Sequence, residues 1–582
     1  MHLRSLWLML VLLTPGLPSG PALARQPIVR GNEGGELDAY LGRLSAFGFS
    51  GVVLVARNGE PILEKGYGLA DRERRLPFTA DTVVSIGSIT KQFTAAAILK
   101  LEMQRKLHVD EPISRFFKDV PPDKRGITLH HLLTHSSGLE SDFGDGDFEP
   151  VWRDEIIKRT MAAKLRSEPG KRYHYSNAGY SLLAAIVEMA SGKGYEQFLN
   201  ENLFQPAGMT KTGYRLPLWK SEEMAQGYQR GRRFAPILER PAAADGPYWN
   251  LRGNGGMHTT AGDMLKWHRA LEGDAVLSRE ARVKLFTPHI REGMLPTSYG
   301  YGWVIGKTPR GTRLIEHNGG DGVFIADCKR YVDDGVFIFA ATNNSETAAW
   351  RVTPWLASVT FGGNRPEVPK VIAVDAARLA KYAGTYELDK DAKLVAELRD
   401  GQLMVGGLGQ RALSLLTTGR PAPSERLDAL SRRTAEIVEA AAHGDYGPLQ
   451  RALDDPRPLE RVTANQNRMR RELEAKHGAY QGYEMLGCAP AGGVVDVYVR
   501  LNFAKDSVLF RYGWQGNHVV VLGTADGPPA ATLFLPESAD GFASFHFGTG
   551  RTVRLRFETD AAGGVTAVTI RTTSGDFRAK SM

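Results

Sequence analysis

Runs of apolar residues, broken by Gly, Asn and Asp, mark out the first 360 or so residues as a mixture of strands and helices. Gly51-Val52-Val53-Leu54-Val55-Ala56-Arg57 is followed by Asn58-Gly59 and by a second β-rich run from Pro61 to Tyr67. Asn-Gly between two such runs predicts a hairpin with a type I′ turn, whose central residues both need positive φ. Thr82 to Gly87 reads as a further strand. Apolar positions then recur at helical spacing from about Gln92 to Lys106 and from Tyr180 to Ser191. Gly300 to Ile305, Arg313 to Glu316, Val323 to Asp327 and Gly335 to Thr342 read as strands. Phe361-Gly362-Gly363-Asn364-Arg365-Pro366 breaks the pattern and closes the unit.

The second half has a different rhythm. Leu379 to Leu388 resembles the opening strand of lipocalin-like β-domains, but no closing strands follow it directly. Glu425 to His443 is amphipathic at helical spacing, with Leu427, Leu430, Ile437, Val438 and Ala441 on one side and Gly444 as its cap. A second helical stretch runs to about His477. Strands follow at Tyr483 to Leu486, Val494 to Phe503, Ser507 to Tyr512 and Val519 to Leu522. Helices followed by a curved antiparallel sheet resemble the cone fold of nuclear-transport-factor-like domains. Short strands at Leu533 to Pro536, Phe542 to Phe547, Val553 to Phe557 and Val565 to Thr572 then return to the β pattern. The expected layout is a lipocalin-like domain split over residues 375–420 and 526–582, with an α+β domain inserted at 425–525.

The chain has 582 residues, too many for one core, with 42% hydrophobic and 24% charged residues, the composition of a globular protein. The net charge of +8 is spread without a long basic run. Nucleic-acid binding is therefore not indicated, while weak attraction to an anionic cell envelope is compatible with the charge. At the N-terminus, Arg4, the short apolar run Leu6 to Leu13 and the A-x-A-type site Ala22-Leu23-Ala24 form a signal-peptide pattern. It predicts cleavage near Ala24, a mature chain beginning near Arg25, and a periplasmic or secreted protein. Cys328 and Cys488 are the only cysteines, so no disulfide framework or metal-ligand spacing is present and no cofactor is expected.

The chemistry begins at Ser88-Ile89-Thr90-Lys91. Residues three apart share a helical face, so Lys91 stands beside Ser88 and can take its proton. Ser88 opens the helix, where free N–H groups favour a developing negative charge. Two further motifs lie downstream, Tyr175-Ser176-Asn177 after Pro169-Gly170, and His317-Asn318-Gly319-Gly320 between two predicted strands.

The order and spacing of S-x-x-K, Y-x-N and H-N-G-G resemble the serine β-lactamase and penicillin-binding protein superfamily, specifically the class C β-lactamase-related serine hydrolases. Ile127 to Leu139, Pro206-Ala207-Gly208-Met209 and Gly255 to Met264 carry the same likeness, which spans roughly residues 36 to 360. It implies a catalytic domain at 25–362 with an antiparallel sheet flanked by helices. It also implies an acyl-enzyme mechanism in which Ser88 is the nucleophile and Lys91 or Tyr175 the base. Asn177, His317 and Gly319 would bind substrate, and the N–H groups of Ser88 and Gly320 would form the oxyanion hole. The substrates implied are D-amino-acid peptides or cell-wall fragments, with an ester or β-lactam as the alternative and a slowly deacylating penicillin sensor as another. His317 replaces the Lys of the β-lactamases. With an ordinary pKa near ~6.5 it would read a carboxylate in a pH-dependent way. His130, His131 and His135 read as structural.

Overall fold

The structure, a computed structural model, describes residues 25–143, 146–229, 232–234, 242–422, 424–453, 459–491, 494–525 and 527–582. The signal-peptide pattern at 1–24 lies outside the described residues.

The strand-forming runs of the first half assemble into a nine-stranded sheet. Its order is Ile28–Val29, Glu60–Tyr67, Gly51–Arg57, Val336–Thr342, Ile325–Tyr331, Arg313–Gly320, Val304–Lys307, Ser298–Tyr299 and Ile290–Arg291. Every neighbouring pair is antiparallel. Asn58 and Gly59 both take positive φ, 51° and 76°, as the hairpin turn demands.

The strands Gly51–Arg57 and Val336–Thr342 are almost wholly apolar because they are covered on both faces. Val53 and Val55 join Leu37, Leu41, Leu44, Val352 and Leu356 under the helices Gly31–Ala46 and Ala349–Phe361. Val52, Leu54 and Ala56 point the other way, into the cluster that holds the helix Thr90–Met103. This split follows the two-residue period of a strand. The Thr90–Met103 helix is buried from Thr90 through Leu99, so each polar side chain on it needs a partner. Gln92 accepts from Trp267 Nε1 at 2.8 Å, and Thr94 donates to the carbonyl of Gly253 at 2.5 Å.

The C-terminal half forms a closed eight-stranded barrel and a separate four-stranded sheet. The barrel begins with Gly384–Asp389, Ala392–Arg399 and Gln402–Leu408 and is completed by five strands from Thr532–Pro536 to Gly575–Ser581. Tyr386 opposite Ser581 closes it. Gln402–Leu408 pairs with Thr532–Pro536 (Leu403 opposite Phe534), so the chain leaves and re-enters the barrel at adjacent positions. Between them, the helices Glu425–Ala442, Gly447–Leu453 and Leu459–His477 precede the sheet of Tyr480–Ala491, Val494–Phe503, Ser507–Gln515 and His518–Thr524. Leu427, Leu430, Ile437 and Val438 pack on Val497, Val499, Phe510 and Trp514 of that sheet.

The structure differs from the sequence reading at several points. Residues 300–303 are not in a strand, His317 to Gly320 lie inside the strand Arg313–Gly320, and the pattern did not signal the last strand, Gly575–Ser581. Leu379 ends a short helix, and the first barrel strand starts only at Gly384. The strands Ala392–Arg399 and Gln402–Leu408 complete the opening meander, which the pattern did not signal. The helix Gln410–Thr418 is new as well. Its Gln410 donates to the carbonyl of Cys488 at 3.0 Å and accepts from the Cys488 N–H at 2.8 Å, joining barrel and four-stranded sheet. The barrel docks on the catalytic unit through Phe545 and Phe547, which pack against Trp355, and Phe545 also meets Phe47.

Candidate active site

Two strand segments hold the turn that carries Ser88. Val84–Ser85 pairs with His258–Thr259, and the N–H of Ile86 donates to Met257 at 3.0 Å. Gly87 then takes φ +48°, and Gly87–Ile89 forms a 3₁₀ turn that runs into the Thr90–Met103 helix. The strand Arg313–Gly320 presses against this turn backbone to backbone. A Cβ on Gly87 would lie 2.3 Å from the nitrogen of Gly320, and one on Gly319 would lie 2.1 Å from the Ile86 oxygen and 2.6 Å from the Ser88 nitrogen. Only glycine permits that approach. It places the backbone of Gly320 beside the start of the nucleophile turn, where two N–H groups can face one oxyanion.

Lys91 is fully buried. Its Nζ lies 3.0 Å from Ser88 Oγ, 2.8 Å from Asn177 Oδ1 and 2.7 Å from the carbonyl oxygen of Asn254. Burial holds its pKa well below the usual lysine range, against a smaller opposing pull from Asp147. The three contacts suit a neutral amine. Its two N–H groups donate to the Asn177 and Asn254 oxygens, and its lone pair remains to accept the Ser88 hydroxyl proton. The ring of Tyr175 lies 4.7 Å from Nζ. Burial raises the Tyr175 pKa, so the phenol is a proton donor at neutral pH. The two groups that the sequence left as alternative bases are thereby pushed toward opposite roles.

Asn177 begins the helix Asn177–Ser191, whose cap residue Ser176 accepts from the Gly179 N–H at 3.0 Å and donates to the Glu140 carbonyl at 2.6 Å. His135 stands behind this motif, with its ring 4.2 Å from that of Tyr175. Its Nδ1 accepts the Ser176 N–H at 3.0 Å, which fixes a neutral ring that burial also favours. His135 is thus a support for Tyr175 and Asn177. His130 bonds Tyr301 at 2.7 Å and His131 accepts the Thr128 N–H in a helix cap, both structural tasks.

His317 differs from the expectation of a titrating carboxylate reader. It is 5% exposed. Its Nδ1 lies 2.6 Å from the Asn318 carbonyl, to which it must donate, so Nε2 accepts the Tyr299 hydroxyl at 2.9 Å. Burial pulls its pKa down to about 4. Both nitrogens are engaged in the neutral ring, and its charge is unchanged between pH 6 and 7.5.

Three contributors escaped the sequence reading. Asn254 holds Lys91 through its carbonyl and anchors its own amide on Ser181 at 2.9 Å. Tyr299 orients His317. Asp147 acts on Lys91 from the wall of a cavity of about 460 Å³ that Asp142, Asn177, Ser181 and Asn250 also line. The Gly253-Asn254-Gly255-Gly256 run was the one local sign of a tight backbone approach.

The Beta-lactamase family matches residues 38–357. Penicillin-binding protein 4* of Bacillus subtilis (strain 168) is 27% identical over 388 residues, covering 63% of this chain and 86% of that protein. Protein flp of Staphylococcus aureus (strain COL) is 29% identical over 196 residues, 32% of this chain and 39% of its own length. The octameric penicillin-binding protein homologue from Pyrococcus abyssi has a similar fold, with a TM-score of 0.52 at 20% identity, over 94% of this chain and 99% of that one. With the family match covering more than half of its length, the chain belongs to the Beta-lactamase family and is a serine hydrolase of that family.

Proposed function

We propose that this hydrolase cleaves amide bonds of D-amino-acid peptides or related cell-wall fragments through an acyl-enzyme on Ser88. The observation that carries the reading is the short contact of buried, neutral-leaning Lys91 with Ser88 Oγ at 3.0 Å. Lys91 takes the Ser88 proton as Oγ attacks the carbonyl. The N–H groups of Ser88 and Gly320 receive the oxyanion. Tyr175 gives its proton to the leaving nitrogen and is reprotonated at the expense of the Lys91 ammonium. Water then repeats the sequence on the ester of Ser88.

Two features narrow the substrate. His317, held neutral, brings no cation for a substrate carboxylate. Asp142 and Asp147 line the cavity beside Asn177 and favour an ammonium group there. Together they favour D-aminoacyl amides over peptides recognised by a free C-terminal carboxylate, and they weigh against efficient β-lactam turnover. The neutral His317 also favours a second reading, an esterase acting on uncharged acyl groups.

Export belongs to the same proposal. In a chain cleaved after Ala24, the Arg25 nitrogen becomes an ammonium, and it lies 3.1 Å from Asp81 Oδ2. The mass of the protein recovered from the periplasm or medium should correspond to a start near Arg25; an intact Met1 in cytoplasmic protein refutes export.

The catalytic test is Ser88→Ala. It should abolish labelling by a penicillin or phosphonate probe while leaving the unfolding temperature nearly unchanged. Labelling equal to the parent, with the adduct mapped elsewhere, refutes the assignment. A panel of D-aminoacyl amides, D-Ala-D-Ala peptides, short acyl esters and a chromogenic cephalosporin then ranks the substrate classes by kcat/KM. Amides with a free ammonium should lead, and a lead for neutral esters selects the esterase reading. A stable adduct with negligible release instead selects a sensor.

A further inference from the structure

A second cavity, of about 1040 Å³, lies where the catalytic unit, the barrel and the four-stranded sheet meet. Among the described residues its walls carry four guanidinium groups, from Arg233 and Arg351 of the catalytic unit, Arg399 of the barrel and Arg511 of the sheet, against two carboxylates, Glu346 and Asp496. Asp496 is buried and lies 3.5 Å from Arg511, and Arg399 lies 3.4 Å from Glu397. The Arg351 guanidinium makes no hydrogen bond or ion pair among the described residues. It rests against Gly548, where a Cβ would lie 2.6 Å from Nη1. Beside these cations the lining includes the mostly buried rings of Phe47, Phe545 and Phe547 from the docking seam and Tyr498 from the sheet, among alanines, prolines and threonines.

A guanidinium that has no partner among the described residues and lines a cavity is an anion site in its chemistry, since planar donors match phosphate and carboxylate oxygens. The aromatic wall gives the rest of a ligand an apolar surface, and the volume suits a molecule of cofactor or lipid-fragment size. We propose that this three-domain cavity binds an anionic amphiphile, with a phosphate or carboxylate head on Arg351 and an apolar tail along the Phe545–Phe547 wall. The site is separate from Ser88 and stands whether or not the substrate reading holds.

Calorimetric titration of the full chain carrying Ser88→Ala tests it, so that turnover cannot contribute. Octyl phosphate and octanoate are compared with octanol and inorganic phosphate. One or both amphiphilic anions should bind at least tenfold tighter than octanol and than inorganic phosphate, and the better of the two identifies the head. Arg351→Glu should weaken that binding tenfold or more at an unchanged unfolding temperature. Should that variant unfold, Arg351→Gln, which removes the charge without reversing it, serves in its place with the same expected loss. Equal binding of octanol and octyl phosphate, no detectable binding of either anion, or unchanged affinity in the Arg351 variant overturns the proposal.

Discussion

At Lys91, hydrogen bonding and burial specify one protonation state. A free lysine, with pKa near ~10.4, is neutral at pH 7 only about once in a few thousand molecules. Here burial pushes it toward the amine, and the Asn177 and Asn254 oxygens use the two protons an amine retains. The acid limb of kcat/KM should therefore report Lys91 deprotonation, with activity rising as pH rises through its folded pKa. Asp147 opposes burial by favouring the ammonium. Asp147→Asn removes that pull, so the acid limb should move to lower pH, while KM for ammonium-bearing amides rises. A limb that stays fixed or moves to higher pH would show that Asp147 does not act on the base. The same lysine has a stability consequence. The unfolded chain binds the proton that the folded site sheds, so this residue's contribution improves as pH rises from the folded pKa toward the unfolded value.

Among elements, the decisive contact is between the nucleophile turn and the Arg313–Gly320 strand. Gly319→Ala would drive a methyl group into the Ile86 oxygen and Ser88 nitrogen, at 2.1 and 2.6 Å. The strand must then withdraw, and the pair of donors proposed for the oxyanion is pulled apart. Loss of one such donor costs about 10²- to 10³-fold in kcat, so a fall of at least that size is expected in single-turnover acylation. Near-parent acylation would place the oxyanion elsewhere. These glycines were legible because each motif is local, and its spacing alone puts Ser88 and Lys91 on one face. Asn254 and Tyr299 were not, because each reaches the site only through tertiary contact. The state of His317 was invisible for the same reason. The sequence shows a histidine, but its pKa depends on burial, and its hydrogen bonding on a tyrosine eighteen positions earlier in the chain.

Across the whole molecule, the catalytic sheet was readable because its hairpins and apolar runs lie close in sequence. The barrel was less so, since two of its first three strands are mixed apolar and polar and its remaining strands return only after an excursion of more than a hundred residues. That excursion leaves and re-enters at paired strands, Leu403 opposite Phe534 and Val405 opposite Thr532. Such close ends let a segment be removed without pulling the host apart. Its own core is internal, built on Leu427, Leu430 and Trp514, whereas the barrel meets the catalytic unit through Phe545 and Phe547. Among the described residues the largest apolar side chain uncovered would be Leu413, which packs on Leu486, Ala489 and Tyr498, while Gln410 would lose its two hydrogen bonds to Cys488. Replacing residues 425–525 by a short Gly/Ser bridge, with Leu413→Gln at the uncovered position, should leave kcat/KM for a small ester within about twofold. The unfolding temperature should fall modestly, since an uncovered leucine is worth about 1.5–3 kcal/mol. Binding of octyl phosphate in the three-domain cavity should be lost in the same variant, because Arg511 and Tyr498 go with the excised segment. An insoluble product, or one without Ser88 labelling, would mean that the C-terminal half folds as a single body on which the active site depends.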